Sequence, residues 1–483
     1  MKILSVSAEL APWCKTGGLG DVAAALPDAI TAEAADCTVI RLVPLYREAK
    51  VNIVKAGLEL ERLDLIRTIE LVGRTWNLNF WALKNVAGAK TIFVEAEGLF
   101  DTEGLYDEVN INGHVYDNDV RFGALNYAAL EAGDALLGGR VDVFHVHDWH
   151  VGLLPLLLKE KYLSRYPKAC TVMTIHNLAY QGWYPAGRLP EYPIENDRPI
   201  HFLALGIEHA DRVTTVSPRY AEEIQTSEFG CAQEDLLKRR GVLGILNGVD
   251  LEVWNPKTDI FLAQHFSAQE LAPKRDVKSS LMVEMGIEPS DGPLLGIVSR
   301  FDPQKGLDLV LEIVSQLAEQ NIQLCVLGSG SPQIEASFRE LAEQYPKTLG
   351  LKVGFDNGLA HRIFAGTDMM LIPSRFEPCG LTQLYAMRYG SIPVASAVGG
   401  LCDTIDEVHL LENVYESGSG YLFTPPSAQN LLASIKKATE LYVHHAEQWQ
   451  TLVTQVMSLD FSWSVSARAY VACYSKTLQE QKS

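Results

Sequence analysis

The chain has 483 residues, too long for one ordinary hydrophobic core, so two or three domains are expected. Hydrophobic residues make up 47% and charged residues 21%, the balance of a soluble globular protein. The formal net charge of −19 argues against a general binder of nucleic acid or of anionic membranes, although a local cluster of Lys and Arg can still hold a small anion. No stretch approaches ~18 uncharged apolar residues, so no membrane span is expected. The opening "MKILSVSAEL" lacks the apolar core of a signal peptide and meets an acid at Glu9, which makes the cytoplasm the expected compartment. Eight cysteines, none in a C-x-x-C pair, read as scattered reduced thiols rather than a disulfide framework or zinc site.

Short apolar, β-branched runs recur in chain order, each followed by a turn and a helical pattern. "KILSVSA" (2–8) is the first, then "CTVIRLVP" (37–44), "KTIFVEA" (90–96), "VDVFHVHD" (141–148), "ACTVMTIHN" (169–177), "DRVTTVSP" (211–218) and "GVLGILNG" (241–248). Strands alternating with helices imply βαβ units and a mostly parallel sheet covered on both faces. Residues 249–292 are polar and proline-bearing and break the rhythm. It restarts with "PLLGIVSR" (293–300), "IQLCVLGSG" (322–330), "GLKVGF" (350–355), "DMMLIPS" (368–374), "SIPVASA" (391–397) and "GYLFTP" (420–425). The expected fold is α/β, with two Rossmann-like domains, 1–243 and 244–461, facing each other across a cleft. The amphipathic tail 462–483 is expected to complete the first domain as a helix.

In open α/β sheets, ligands bind at the carboxyl ends of strands, so the chemistry is sought in the loops after strands. "CKTGGLGD" (14–21) sets Lys15, Gly18 and Asp21 after the first strand. The "GLGDVA" part fits a dinucleotide fingerprint, but the second strand ends without the acid that would hold a ribose. A cation beside backbone N–H groups at a helix start suits a phosphate-bearing ligand instead. "HVHDWH" (145–150) groups His145, His147, Asp148 and His150 at a strand end; it reads as a metal site or as a polar strand end lining the cleft. "IHNLAYQG" sets His176 and Asn177 at the next strand end. "VSRFDPQKG" (298–306) leaves Arg300 and Lys305 in one loop, a fork and a point charge suited to a diphosphate. "PSRFEPCGLTQLYAMRYG" (373–390) places Glu377 and Cys379 in a loop, with Gly380, Leu381 and Thr382 opening a helix whose N–H groups suit phosphate. "VGGLCDT" (398–404) repeats that design.

Together "KTGGLGDV", "HDWH", "HNLAYQG", "LNGVD", "SRFDPQKGLDL", "SRFEPCGLTQLYAMRYG" and "GGLCDT" resemble the bacterial glycogen synthases and plant starch synthases, retaining glucosyltransferases of family 5 with the GT-B fold. The resemblance spans nearly the whole chain, in order. It implies ADP-glucose as donor and the non-reducing end of an α-1,4-glucan such as glycogen as acceptor, with retention of configuration. It implies that Lys15 contacts the nucleotide sugar, with Gly18 and Asp21 in the same substrate loop. Arg300 and Lys305 would hold the diphosphate, and Leu381 and Thr382, beside Cys379 and Gly380, would add backbone donors. Phe355 would stack on the adenine, and Asp148, His176, Asn247 and Glu377 would line the glucose. The backbone carbonyl of His176 would support the positive sugar in the transition state. No metal or other cofactor is implied, so the metal reading of "HVHDWH" gives way, and neither a nucleic acid nor a membrane is an implied partner. Both halves would supply donor groups, so the cleft is expected to close on substrate.

Tyr385 stands where the wider retaining pattern has a second glutamate, a change shared by glycogen and starch synthases. "SEFGCAQEDLLKRRG" (227–241) departs from the family's glycine-rich form and leaves its role open. The alternatives are a related enzyme using UDP-glucose or a smaller acceptor, and a non-catalytic glucan-binding protein on the same fold.

Overall fold

The computed structural model describes residues 1–108, 113, 117–187, 199–411 and 414–481. The chain divides into two compact units, Met1–Gly248 with Trp463–Ser483, and Val249–Ser462.

The first unit contains β1 (Lys2–Val6), β2 (Thr38–Pro44), β3 (Leu60–Leu71), β4 (Arg74–Leu83), β5 (Lys90–Ala96), β6 (Val143–His147), β7 (Cys170–Ile175), the short pair β8 (Trp183–Tyr184) and β9 (Ile200–His201), β10 (Arg212–Thr215) and β11 (Leu243–Gly244). Its main sheet runs β11-β10-β7-β6-β1-β2-β5-β4-β3. From β11 to β5 every neighbouring pair is parallel. The sequences explain this: "VFHVH" and "CTVMTI" are buried at every position, as parallel strands covered on both faces must be. Because β11 pairs with β10, the first unit runs on to Gly248, past the boundary expected at residue 243.

The antiparallel hairpin β3–β4 at the sheet edge has no counterpart among the expected strands. Its first strand carries Glu61, Arg62, Asp64, Arg67 and Glu70, which hide the alternation that buries Ile69 and Leu71. Its two-residue turn is Val72–Gly73, both at positive φ, where Asn-Gly or Asp-Gly is the recognisable signal. The charges suit an edge strand, since they discourage pairing with another chain.

The helix Trp463–Glu480 returns to the first unit and packs on the helix Gly18–Glu33. Tyr470 and Tyr474 are fully buried there with Val22, Leu26 and Ile30. The Tyr474 hydroxyl meets His145 Nδ1 at 2.8 Å.

The second unit contains β12 (Leu294–Val298), β13 (Gln323–Gly328), β14 (Leu349–Val353), β15 (Met369–Ile372), β16 (Ile392–Ser396), the hairpin β17 (His409–Leu411) and β18 (Val414–Ser417), and β19 (Tyr421–Phe423). Its six-stranded sheet runs β14-β13-β12-β15-β16-β19, all parallel, which is the 3-2-1-4-5-6 order of a Rossmann sheet. A buried ion pair sets the register of its two central strands. Asp368 Oδ2 accepts from Lys278 Nζ at 2.6 Å and from the Leu294 amide at 2.8 Å, while the Asp368 amide donates to the Leu294 carbonyl at 2.8 Å. β12 and β15 therefore start together, and the loops at their far ends emerge side by side.

Candidate active site

Strand order reverses between β1 and β6 in the first unit and between β12 and β15 in the second. Open α/β sheets leave a crevice at such a reversal, outside the carboxyl ends of the strands. The loops leaving those four strands carry most of the residues singled out in the sequence.

In the first unit, the loop after β1 is tied down by Glu9. Its buried carboxylate accepts from the Thr16 amide (2.8 Å), the Thr16 hydroxyl (2.7 Å) and the Gly17 amide (3.2 Å), and the Tyr106 hydroxyl also donates to it. Glu9 figured in the sequence only as an acid interrupting an apolar opening; its structural signal is its place directly after the first strand. Lys15 stands beside this anchored segment and pairs with Asp21 at 2.7 Å, both side chains about a third exposed. Gly18 opens the helix Gly18–Glu33.

After β6, Asp148 adopts φ 60° and ψ −175°, a backbone region that is close to glycine-only. Such a residue costs about 1–3 kcal/mol unless its surroundings hold it. Here its Oδ1 accepts from the His176 amide at 2.6 Å and the Asn177 amide at 3.4 Å, and its own amide donates to the Thr174 carbonyl at 2.9 Å. The strained residue thus fixes the peptide plane of His176 and the direction of its carbonyl. The His176 ring meets His147 Nδ1 at 3.0 Å, and His147 Nε2 lies 3.2 Å from the Ser5 hydroxyl. His145 is held in the same way by Thr174 (2.7 Å) and Tyr474. Burial pushes the His147 pKa down to about 3 and lowers those of His145 and His176, so the three rings are neutral near pH 7. Both ring nitrogens of His145 and of His147 are engaged in these bonds. Asn247 is buried, and its Oδ1 has no hydrogen-bond partner among the described residues, an open acceptor of the kind a ligand satisfies.

Burial pushes the Asp148 carboxyl up to about 7, against the pull of its two backbone donors. An unfolded aspartate titrates near ~3.9, so the folded state binds this proton more tightly. The stabilisation is complete below the unfolded value and is lost as pH rises through about 7. Asp148→Asn keeps an acceptor for His176 and has no charge to bury. The stability of this variant relative to the parent should therefore rise by about 2 kcal/mol between pH 5.5 and 8. Urea denaturation at the two pH values measures it; a difference that does not change with pH refutes the assignment.

In the second unit, Lys305 Nζ sits 2.6 Å from Glu377 Oε2, with 19% and 9% of the two side chains exposed. The buried Ser374 hydroxyl donates to the same oxygen at 2.9 Å. The loops after β12 and β15 are stitched together around this cluster. Gln304 Nε2 donates to the Phe376 carbonyl (3.1 Å), the Arg375 amide donates to the Gln304 carbonyl (2.8 Å), and Arg375 forks onto Asp308 at 2.8 and 2.6 Å.

Beyond Glu377, Gln383 Nε2 donates to the carbonyls of Cys379 and Gly380 and to the Thr404 hydroxyl, each at 3.0 Å. It clamps the loop that the sequence marked as a phosphate site onto the helix Gly399–Thr404. Gly380 has left-handed backbone (φ 74°), Leu381 is the cap residue, and Thr382 begins a helix of only seven residues, Thr382–Arg388. Tyr385 on that helix stacks on Trp254 with ring centroids 3.8 Å apart, an apolar contact where a second carboxylate would otherwise stand. Arg300 is exposed, and Phe355 is 85% exposed just after β14, where a ring face is open to a planar group. The sequence pattern singles out neither Ser374 nor Gln383: one is a serine three residues before Glu377, the other a glutamine on the helix that follows.

The second unit therefore offers two cations and a braced carboxylate in adjoining loops, and the first offers an oriented carbonyl, neutral imidazoles and an open amide oxygen. Residues 2–239 match the family described as starch synthase catalytic domain, and residues 284–451 match the glycosyl transferases of group 1. The glycogen synthase of Anaeromyxobacter sp. (strain Fw109-5) is 41% identical over 490 residues, covering 98% of this chain and 99% of the relative. That of Koribacter versatilis (strain Ellin345) is 39% identical, covering 99% of each. The solved catalytic domain of starch synthase IV from Arabidopsis thaliana, bound to ADP and acarbose, is 31% identical with a TM-score of 0.89 and 99% coverage of both chains. The chain belongs to the glycogen and starch synthase family of glycosyltransferases, with the GT-B fold of paired Rossmann-like units.

Proposed function

We propose that this enzyme transfers glucose from ADP-glucose to the non-reducing end of an α-1,4-glucan such as glycogen, with retention of configuration. The observation that carries the reading is the cluster of Lys305, Glu377 and Ser374 at the strand reversal of the second unit. Glucosyl transfer passes through an oxocarbenium-like state as a diphosphate leaves, so it needs positive charge at the leaving group and negative or dipolar groups near the anomeric carbon. Arg300 and Lys305 supply the first, joined by the amides of Leu381 and Thr382 beside Cys379 and Gly380. Glu377 and the His176 carbonyl supply the second. Phe355 takes the adenine ring on its exposed face. Lys15, Asp21 and Gly18 contact the nucleotide sugar, and Asp148 acts through the His176 peptide it orients. Asn247 offers its free oxygen to a sugar hydroxyl.

The 4-hydroxyl oxygen bonds to the anomeric carbon on the face from which the diphosphate departs, and the departing diphosphate takes its proton, so retention needs neither a separate base nor a carboxylate nucleophile. Charge at the diphosphate is met by protein cations, and we assign no metal to the reaction. The eight cysteines are free thiols, as a reducing compartment would leave them, and we place the enzyme in the cytoplasm.

Incubation with labelled ADP-glucose and glycogen should extend α-1,4 chains, equally well with EDTA present. No incorporation from ADP-, UDP- or GDP-glucose overturns the reading. Incorporation from UDP-glucose alone would move the donor assignment while leaving the reaction class. Ser374→Ala should lower kcat about tenfold, the loss of one hydrogen bond to a charged group, and Ser374→Thr should recover much of it. Steady-state kinetics at saturating donor decides; equal losses in both variants would show that the hydroxyl does not act through Glu377.

A further inference from the structure

We infer that Trp183 is a fixed platform on the first unit for binding the α-glucan chain, an assignment that rests on the glucan-acceptor reading above. The loop that leaves β7 at His176 runs through Tyr180 and Gln181 to Trp183. Trp183 is 60% exposed, yet its indole is not free to turn. Its N–H donates to Gln181 Oε1 at 3.2 Å, and its ring lies on the ring of His201, with centroids 4.1 Å apart and planes 15° from parallel. Both supports are themselves anchored. Gln181 is buried, and its Nε2 donates to the carbonyls of Leu178 (3.1 Å) and Cys231 (3.0 Å). The buried His201 ring lies 3.4 Å from Gln233 Nε2.

The segment 227–241, which the catalytic assignment leaves without a role, gains one here. Cys231 and Ala232 both take left-handed backbone, φ 48° and 64°. That turn presents the Cys231 carbonyl to Gln181 and sets Gln233 beside His201. The divergent loop is the underlay of the platform.

An exposed tryptophan that rotates freely needs no explanation. In Trp183 the polar N–H is satisfied internally and one support covers part of the ring, so the outward surface is apolar and held in place. Pyranose rings present flat faces of C–H groups that stack on such a surface, and a ring ordered beforehand loses little entropy on binding. A neutral polymer is the occupant that fits. The net charge of −19 disfavours polyanions, and Trp183 with half-exposed Tyr180 is far smaller than the ~800 Å² per partner of a stable protein interface.

The test uses the full chain carrying Trp183→Ala or Trp183→Phe, with electrophoretic retardation in gels containing glycogen and no donor. Trp183→Ala should weaken glycogen binding about tenfold, and Trp183→Phe, which keeps a ring, by about threefold or less. In turnover assays the alanine variant should raise KM for glycogen much more than KM for ADP-glucose. Unchanged retardation of the alanine variant, or a phenylalanine variant as weak as alanine, overturns the platform. The gel needs neither donor nor turnover, so a failed ADP-glucose reading registers separately, as an inactive parent enzyme in the incorporation assay.

Discussion

Lys305→Ala should lower kcat at saturating donor by about two to three orders of magnitude, equivalent to ~3–4 kcal/mol of transition-state stabilisation. The reason is that one ammonium does two jobs. It neutralises a leaving diphosphate, and it rests 2.6 Å from Glu377, whose same oxygen also accepts from Ser374. Removing it strips charge from the leaving group and also leaves a largely buried carboxylate without its cation. Glu377→Ala should be comparably inactive. Because the two groups act as one unit, the double variant should be far less impaired than the product of the single losses. Both variants should keep the far-ultraviolet circular dichroism of the parent. Full activity in either single variant would remove that residue from the catalytic set.

Gly306→Ala should be the most damaging small substitution near the site, costing about 3 kcal/mol or more and lowering Tm by roughly 10 °C. Gly306 follows Lys305 in left-handed backbone, φ 62°, and an added Cβ would lie 2.0 Å from the Pro373 carbonyl oxygen. That oxygen belongs to the residue before Ser374, so the loop bearing Glu377 must move to make room. Backbone strain and steric overlap can be told apart. Asparagine tolerates left-handed backbone better than alanine does, but any Cβ meets Pro373. Gly306→Asn should therefore be no more stable than Gly306→Ala in a calorimetric scan, and neither should turn over ADP-glucose at a useful rate. An asparagine variant close to the parent would show that the contact with Pro373 is easily relieved.

Much of this molecule is legible in its sequence because parallel sheets write themselves as short apolar runs. β1, β6, β7, β12 and β15 all fall within runs seen in the sequence, and the loops after them carry the chemistry. What stayed hidden has physical reasons. The β3–β4 hairpin lies at an exposed edge, where charges replace the apolar run and Val72 takes the place of the usual turn residue. Ser374 is a buried brace whose importance comes from the ion pair that its neighbour Glu377 makes with distant Lys305, and Gln383 and Glu9 are buried braces with distant partners of their own. Glu9 ties to Tyr106, and Gln383 to Thr404, pairings that no local pattern announces. Residue type also said nothing of the state of Asp148. Its positive-φ backbone is a property of the folded strand end, and its raised pKa comes from burial there.

The return of the helix Trp463–Glu480 to the first unit has a consequence for how the protein is made. The ribosome delivers residues 1–248 first, but the seat formed by Val22, Leu26, Ile30 and His145 stays open until Tyr470 and Tyr474 arrive. The main core of the first unit draws only on residues before Val249, and the second unit, contiguous from Val249 to Ser462, can close its own core while that seat waits. A nascent chain halted before Trp463 would carry an exposed apolar stripe, a natural target for chaperones and proteases. The cluster under the helix Gly18–Glu33 is thus finished only after the second unit has been made.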